Sequence, residues 1–143
     1  MNRLGMLIDL SHVSVKTMND VLDIVTAPVM FSHTSAYELC NHYRNAPNSI
    51  LIRVKENGGV VMVNFYTKYI NCPPQNVTAD DGYATLVQVA DHMDHIKLIC
   101  GWSALGLEVT MTVLALSLKD WKTSRSSLTW LQNSLIEGGQ KKK

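Results

Sequence analysis

The chain has 143 residues, 46% hydrophobic and 17% charged, with a formal net charge of +1. That composition supplies one ordinary packed core, with no basic excess to draw it to nucleic acid and no apolar run long enough to span a bilayer. Three cysteines, Cys40, Cys72 and Cys100, are too few and too spread for a zinc knuckle, and an odd count leaves at least one thiol unpaired in a monomer.

Met6–Ser11 reads as the first strand and runs into His12. Asp9 interrupts the apolar stretch that a signal peptide would need after Met1-Asn2-Arg3-Leu4. A strand this early leads us to expect that the chain begins inside a larger protein. Ser14 to Val25 is predicted to be a helix, with Ser14 as N-cap and Val15, Met18, Val21, Leu22 and Val25 on one stripe, the spacing of a helix that covers a sheet. Ala27-Pro28 ends it, because proline cannot continue the ladder and pushes its predecessor toward extended geometry. Pro28–Ser32 is the second predicted strand and delivers His33.

The unit is therefore strand, His, helix, strand, His. A right-handed crossover makes the two strands parallel and puts both histidines at one end of the sheet. Neighbouring strands lie about 4.8 Å apart, so the two imidazoles can reach one metal ion through bonds of about 2.0–2.1 Å. A lone His after a strand is more often a hydrogen-bonded loop residue; repetition at strand ends, where parallel α/β folds place their chemistry, favours a metal site.

Thr34 to Pro47 is too long for a tight connection and is expected to contribute substrate contacts. Arg44 is its one fixed positive charge, suited to pair with a carboxylate, the alternative being a solvated surface Arg. His42 has no partner in the pattern and reads as a surface residue. Pro47 to Asn57 is predicted to be the second helix, with Ile50, Leu51 and Val54 inward and Gly58-Gly59 as its stop. Val60 to Tyr66 is the clearest strand, almost continuously apolar as burial on both faces requires. Thr67 to Tyr83 reads as a loop holding Cys72, two prolines and the glycosylation sequon Asn76-Val77-Thr78.

Ala84 to Cys100 is the third long predicted helix, with Leu86, Val89, Ala90, Met93, Ile96 and Ile99 at helical spacing. It contains Asp91-His92-Met93-Asp94-His95, read as a polar face or a helix-to-loop hydrogen-bond cluster rather than a metal site, because a covering helix stands outside the strand-end crevice. From Trp102 the texture changes. Leu105 to Leu118 is apolar without a steady period, Lys119 to Ser127 is polar and basic, and Gly138 to Lys143 reads as a disordered tail. No fourth strand is predicted.

Taken together, Ile8-Asp9-Leu10-Ser11-His12-Val13-Ser14, Phe31-Ser32-His33-Thr34-Ser35-Ala36-Tyr37, Arg44-Asn45, Val61-Met62-Val63-Asn64-Phe65-Tyr66 and Ala90-Asp91-His92-Met93-Asp94-His95-Ile96 resemble the renal (membrane) dipeptidase family of zinc peptidases, in order and spacing from about Asn2 to Gly101. The resemblance implies a TIM-type (β/α) barrel with two zinc ions at the carboxyl ends of the strands. It implies that His12 and His33 hold one zinc, that Arg44 contacts the substrate and that Tyr69 lines the site. It also implies a dipeptide substrate, a Cys40–Cys72 disulfide, glycosylation at Asn76, and a homodimeric protein carried by a glycolipid anchor on the extracellular face of the plasma membrane. The disulfide fits an oxidising compartment.

The family's His-x-Asp ligand pair, its bridging Glu and a further substrate-site His have no counterpart in this sequence. Where the family continues as Gly-Phe-Gly-Gly-Asp-Tyr-Asp-Gly, this chain has Gly106-Leu107-Glu108-Val109-Thr110-Met111-Thr112-Val113. Leu107 to Val113 can be written in codons TTG GAG GTG ACT ATG ACG GTG, and with T as the last base of Gly106 the same bases read one nucleotide earlier give Phe-Gly-Gly-Asp-Tyr-Asp-Gly. The expectation is thus a partial barrel of three or four βα units over residues 1–101, and an irregular, out-of-frame tail over 102–143. It is an incomplete and inactive zinc dipeptidase with one half-site. The alternatives are a non-catalytic fragment that binds a full-length homologue through an open sheet edge, and a different metal-dependent amidohydrolase using the same histidines.

Overall fold

The computed structural model describes residues 1–72 and 84–107. Its centre is a three-stranded parallel sheet, β1 (Met30–Thr34), β2 (Val60–Val63) and β3 (Leu105–Leu107), in chain order. The helices between and before these strands are α1 (Val15–Ile24), α2 (Asn48–Asn57), the single turn α3 (Thr67–Ile70) and α4 (Leu86–Cys100). The result is a mixed α/β unit built by repeated strand–helix crossovers.

Local chemistry explains each boundary. The Ser14 hydroxyl accepts from the Thr17 N–H and starts α1. Thr85 and Gln88 form a reciprocal capping box, so α4 begins at Leu86, two residues after the predicted start. Gly58 ends α2 in the left-handed conformation at φ 75°. Its neighbour Gly59 lies so close to β1 that a Cβ would stand 2.6 Å from the Val29 carbonyl oxygen, and only glycine fits. Asn57 closes the same junction, accepting from Val29 N–H (2.8 Å) and donating to the Ala27 carbonyl (3.1 Å).

The core sits between sheet and helices. Phe31, Val61 and Val63 from the strands meet Met18, Ile50, Leu51, Val54, Val89 and Ile96 from the helices, all fully buried. Removal of this apolar surface from water is the main force holding the crossovers against the sheet.

Three expectations are corrected. The first predicted strand makes one parallel bridge, Asp9 to Met30, with Leu10 N–H to Met30 O at 2.8 Å and Met30 N–H to Ile8 O at 2.9 Å. Two ladder bonds do not extend into a strand because Met6 and Leu7 face solvent and Asp9 spends its side chain on neighbouring backbone. The third strand stops at Val63, where the Asn64 side chain accepts from Tyr66 N–H (3.0 Å) and turns the chain. A strand nevertheless exists beyond Trp102. Leu105–Leu107 pairs with Val61–Val63, and at Gly106 a Cβ would meet the Met62 side chain at 2.7 Å. The described chain thus runs past residue 101 within the same sheet. The rest of the expected tail, and Asn76, lie outside the described residues.

Candidate metal centre

His12 follows the bridged segment, His33 lies near the carboxyl end of β1, and the two meet at one rim of the sheet. Their Nε2 atoms are 3.1 Å apart, with ring centroids 4.7 Å apart and planes at 89°. His12 has φ 70°, the only positive φ of a non-glycine among the described residues. A left-handed backbone at a side-chain-bearing residue costs about 1–2 kcal/mol and marks positions held for a purpose. Partial burial, then the charges of Arg44 and His33, hold the His12 pKa below the ordinary imidazole value, with Asp9 opposing them. A neutral ring is the form a metal needs.

Asp9 underlies this pair. Its Oδ1 accepts from Ser11 N–H (2.9 Å) and Ser32 N–H (3.1 Å), and its Oδ2 from the Ser32 hydroxyl. Burial works to raise the Asp9 pKa, but the hydrogen bonds from Ser32 and Ser11 outweigh it and hold the carboxyl below its ordinary range.

Arg44 enters from the β1–α2 loop, and its Nη2 donates to His33 Nδ1 at 3.1 Å. The guanidinium lies 5.0 Å from the Tyr69 ring centroid, and its Nε is buried without a partner among the described residues. His42, expected at the surface, is half-buried instead. Its ring packs on Tyr69 at 4.6 Å and Tyr43 at 4.5 Å, and its Nδ1 accepts from Arg44 N–H at 3.2 Å. Burial, then the charge of Arg44, lower its pKa.

The loop carrying Arg44 is tied to the segment carrying Tyr69 in three places. Asn45 Nδ2 donates to the Cys40 and Tyr69 carbonyls (2.9 and 2.8 Å). Cys40 and Cys72 form a disulfide with Cα atoms 5.0 Å apart. Third, His92 of α4 accepts from Ala36 N–H at Nδ1 (3.0 Å) and donates from Nε2 to the Ile70 carbonyl (3.0 Å). Of the two readings of Asp91 to His95, His92 follows the helix-to-loop hydrogen-bond cluster and not the polar face, since it lies on the buried stripe Val89, His92, Met93, Ile96. His95 points elsewhere, to Asn48 Oδ1 at 2.8 Å and Glu38 at 3.9 Å. Cys100 is buried and unpaired, and burial pushes its thiol up to about 11, so it is no nucleophile.

An open cleft of about 620 Å³ adjoins His12, walled by Val13, Tyr37, Tyr43, Asn45 and Pro47. The Nε2 separation of His12 and His33 is one that two bonds of about 2.0–2.1 Å can close on a single ion, so the pair fits zinc. Among the described residues no third His, Cys, Asp or Glu joins them. The donors present are half a set.

Comparison with known proteins places these features in context. The model of a family described as Membrane dipeptidase (Peptidase family M19) matches residues 1–142. An uncharacterized dipeptidase of Schizosaccharomyces pombe is 51% identical over 107 residues, 75% of this chain and 24% of that protein. Dipeptidase aclJ of Aspergillus oryzae is 45% identical over the same extent. The chain thus spans about a quarter of the length of these curated relatives. Among solved structures, an amidohydrolase from Pseudomonas aeruginosa superposes with a TM-score of 0.64 at 30% identity, over 75% of this chain and 30% of that one. A metallopeptidase from Rhodobacter sphaeroides, liganded with a phosphinate mimic of the dipeptide L-Ala-D-Ala, shares the fold with a TM-score of 0.68 at 23% identity, over 96% of this chain and 38% of that one.

Proposed function

The chain belongs to the membrane dipeptidase family, and from that premise we propose that it carries one metal half-site and the substrate-carboxylate clamp of a zinc dipeptidase. The observation that carries this reading is the convergence of His12 and His33 Nε2 at 3.1 Å on one rim of a parallel sheet. His12 and His33 would hold one zinc ion. Bound there with the remaining donors, zinc would supply Lewis acidity to polarise a peptide carbonyl and to acidify water.

The protein's own residues do the rest. The Arg44 guanidinium, with one buried and unpaired N–H, is placed to receive the carboxylate of a dipeptide through paired hydrogen bonds. Its central carbon lies over the face of the Tyr69 ring, which limits how far it can swing. Because a dipeptide carries its carboxylate near the scissile bond, one fixed guanidinium close to the metal enforces substrate length.

The three strands and the bridged segment before them are read here as four consecutive strand positions of a (β/α) barrel. With two donors among the described residues where structural and catalytic sites use three or four, the chain by itself is expected to bind zinc weakly and to show no turnover. The Cys40–Cys72 disulfide supports an oxidising, extracellular setting, consistent with a glycoprotein anchored at the membrane and paired as a homodimer. A second reading is a non-catalytic piece that pairs with a longer homologue. It is favoured by Met6 and Leu7, 54% and 74% exposed beside the open edge of the bridged segment.

Zinc titration of the chain, followed through the imidazole resonances and paired with a dipeptide hydrolysis assay, tests the first reading. The expected result is weak, saturable binding that His33→Ala removes, without turnover. Zinc uptake indifferent to His33→Ala would sink it.

A further inference from the structure

We propose that Asp9 is a positioning residue that sets the spacing of the His12–His33 pair by holding the residue before each ligand on a single carboxylate. This rests on the reading of that pair as a metal half-site. The same dipeptide, Ser-His, ends both neighbouring segments, as Ser11-His12 and Ser32-His33. One oxygen of Asp9 accepts from the backbone N–H of both serines, at 2.9 and 3.1 Å. The other accepts from the Ser32 hydroxyl, which lies 3.2 Å from the Ser11 hydroxyl. Ser11 Oγ in turn accepts from His33 N–H at 3.1 Å, so the side chain preceding one ligand fixes the backbone of the other.

A turn cap would need much less. The bond to Ser11 is the ordinary aspartate turn two residues on. The bonds to Ser32 span 23 residues and join the bridged segment to β1. They stand where the ladder between those two has given only its bridge at Met30, and where the β1–β2 register shifts between Phe31 and Thr34. At this point the sheet itself no longer specifies how far apart the two rims lie; the carboxylate does. It also faces the strained backbone of His12, whose φ of 70° the Asp9–Ser11 turn leads into. Groups that orient metal ligands from behind change affinity by about 10–100-fold when removed.

The test is zinc affinity of the full chain, together with the contact between the two imidazole rings measured by nuclear Overhauser effects without metal. Asp9→Ala is expected to weaken zinc binding about 10–100-fold and to abolish the ring-to-ring contact. Asp9→Asn, which keeps Oδ1 for both N–H groups but loses the charge-assisted bond to Ser32, falls between. Should Asp9→Ala fail to fold, Ser32→Ala breaks one arm only and is expected to weaken zinc binding several-fold at unchanged secondary structure. Wild-type affinity and an intact ring contact in Asp9→Asn and Ser32→Ala would overturn the proposal while leaving the metal site standing. Absence of zinc binding by the wild-type chain would overturn both together.

Discussion

Two groups of histidine in this chain are put to opposite uses. His12 and His33 stand at the open rim of the sheet, one of them on a strained backbone, with their Nε2 atoms facing each other. His92 is 1% exposed inside α4, and both of its ring nitrogens are taken by backbone groups of two different segments. The Nε2 atoms of the first pair meet only each other among the described residues, while Arg44 takes His33 Nδ1. The third ring has spent both of its nitrogens on structure. Residue type alone does not distinguish them, and whether a nitrogen is left available does.

Removing His92 should hurt stability most. His92→Leu leaves the Ala36 N–H and the Ile70 carbonyl buried and unpaired, at roughly 1–3 kcal/mol each, so urea unfolding should show a loss of about 2–6 kcal/mol. A loss below about 0.5 kcal/mol would mean that water replaces the ring and that the contrast with the rim is overdrawn. Next comes the disulfide that ties the same segments. With its cysteines 32 positions apart in the chain, Cys72→Ser should cost about 3–4 kcal/mol, read by the same unfolding curves in oxidised and reduced protein.

The pH dependence sharpens the comparison further. Burial holds the His92 pKa below its ordinary value, against the Ile70 carbonyl bond, while His95 adds to the depression and Asp91 opposes it. A base with a depressed folded pKa leaves stability intact above the unfolded value of about 6.5. Stability should therefore fall as pH drops below about 6.5 and level off beneath the folded value, since the unfolded chain takes up the proton first. His92→Gln should flatten that slope in unfolding free energy measured across this range. The smallest stability effect belongs to the rim. His12→Gly relieves the left-handed strain while loosening the unfolded chain, for a net gain of about 0.5 kcal/mol, yet it should abolish zinc binding in the same titration. A clear destabilisation by His12→Gly would show that this histidine, too, is spent on structure.

Much of this architecture was legible in the residues. Ser14 as a cap, Gly58 as a stop and the stripe of Ile50, Leu51 and Val54 are local signals, and the structure follows them within a residue or two. So is the Ser-His end of two successive segments, which brought His12 and His33 to one rim. The short strand at Leu105–Leu107 was not legible, because three residues around a glycine carry no period and exist as a strand only through pairing with β2. His42 escaped because its aromatic partner Tyr69 lies 27 residues along the chain, beyond any spacing rule.

What the sequence determined by itself is the alternation of strand and helix and the family to which its motifs point, because capping, periodicity and short motifs act between near neighbours. What only the tertiary structure decided is which polar groups are spent and which are free. That Asp9 binds two serines of separate segments, that His92 is sealed between two loops, and that the Arg44 Nε–H is buried without a partner among the described residues are all outcomes of contacts between distant residues. They follow from packing, where the cost of an unsatisfied buried group is settled and no local pattern records the outcome.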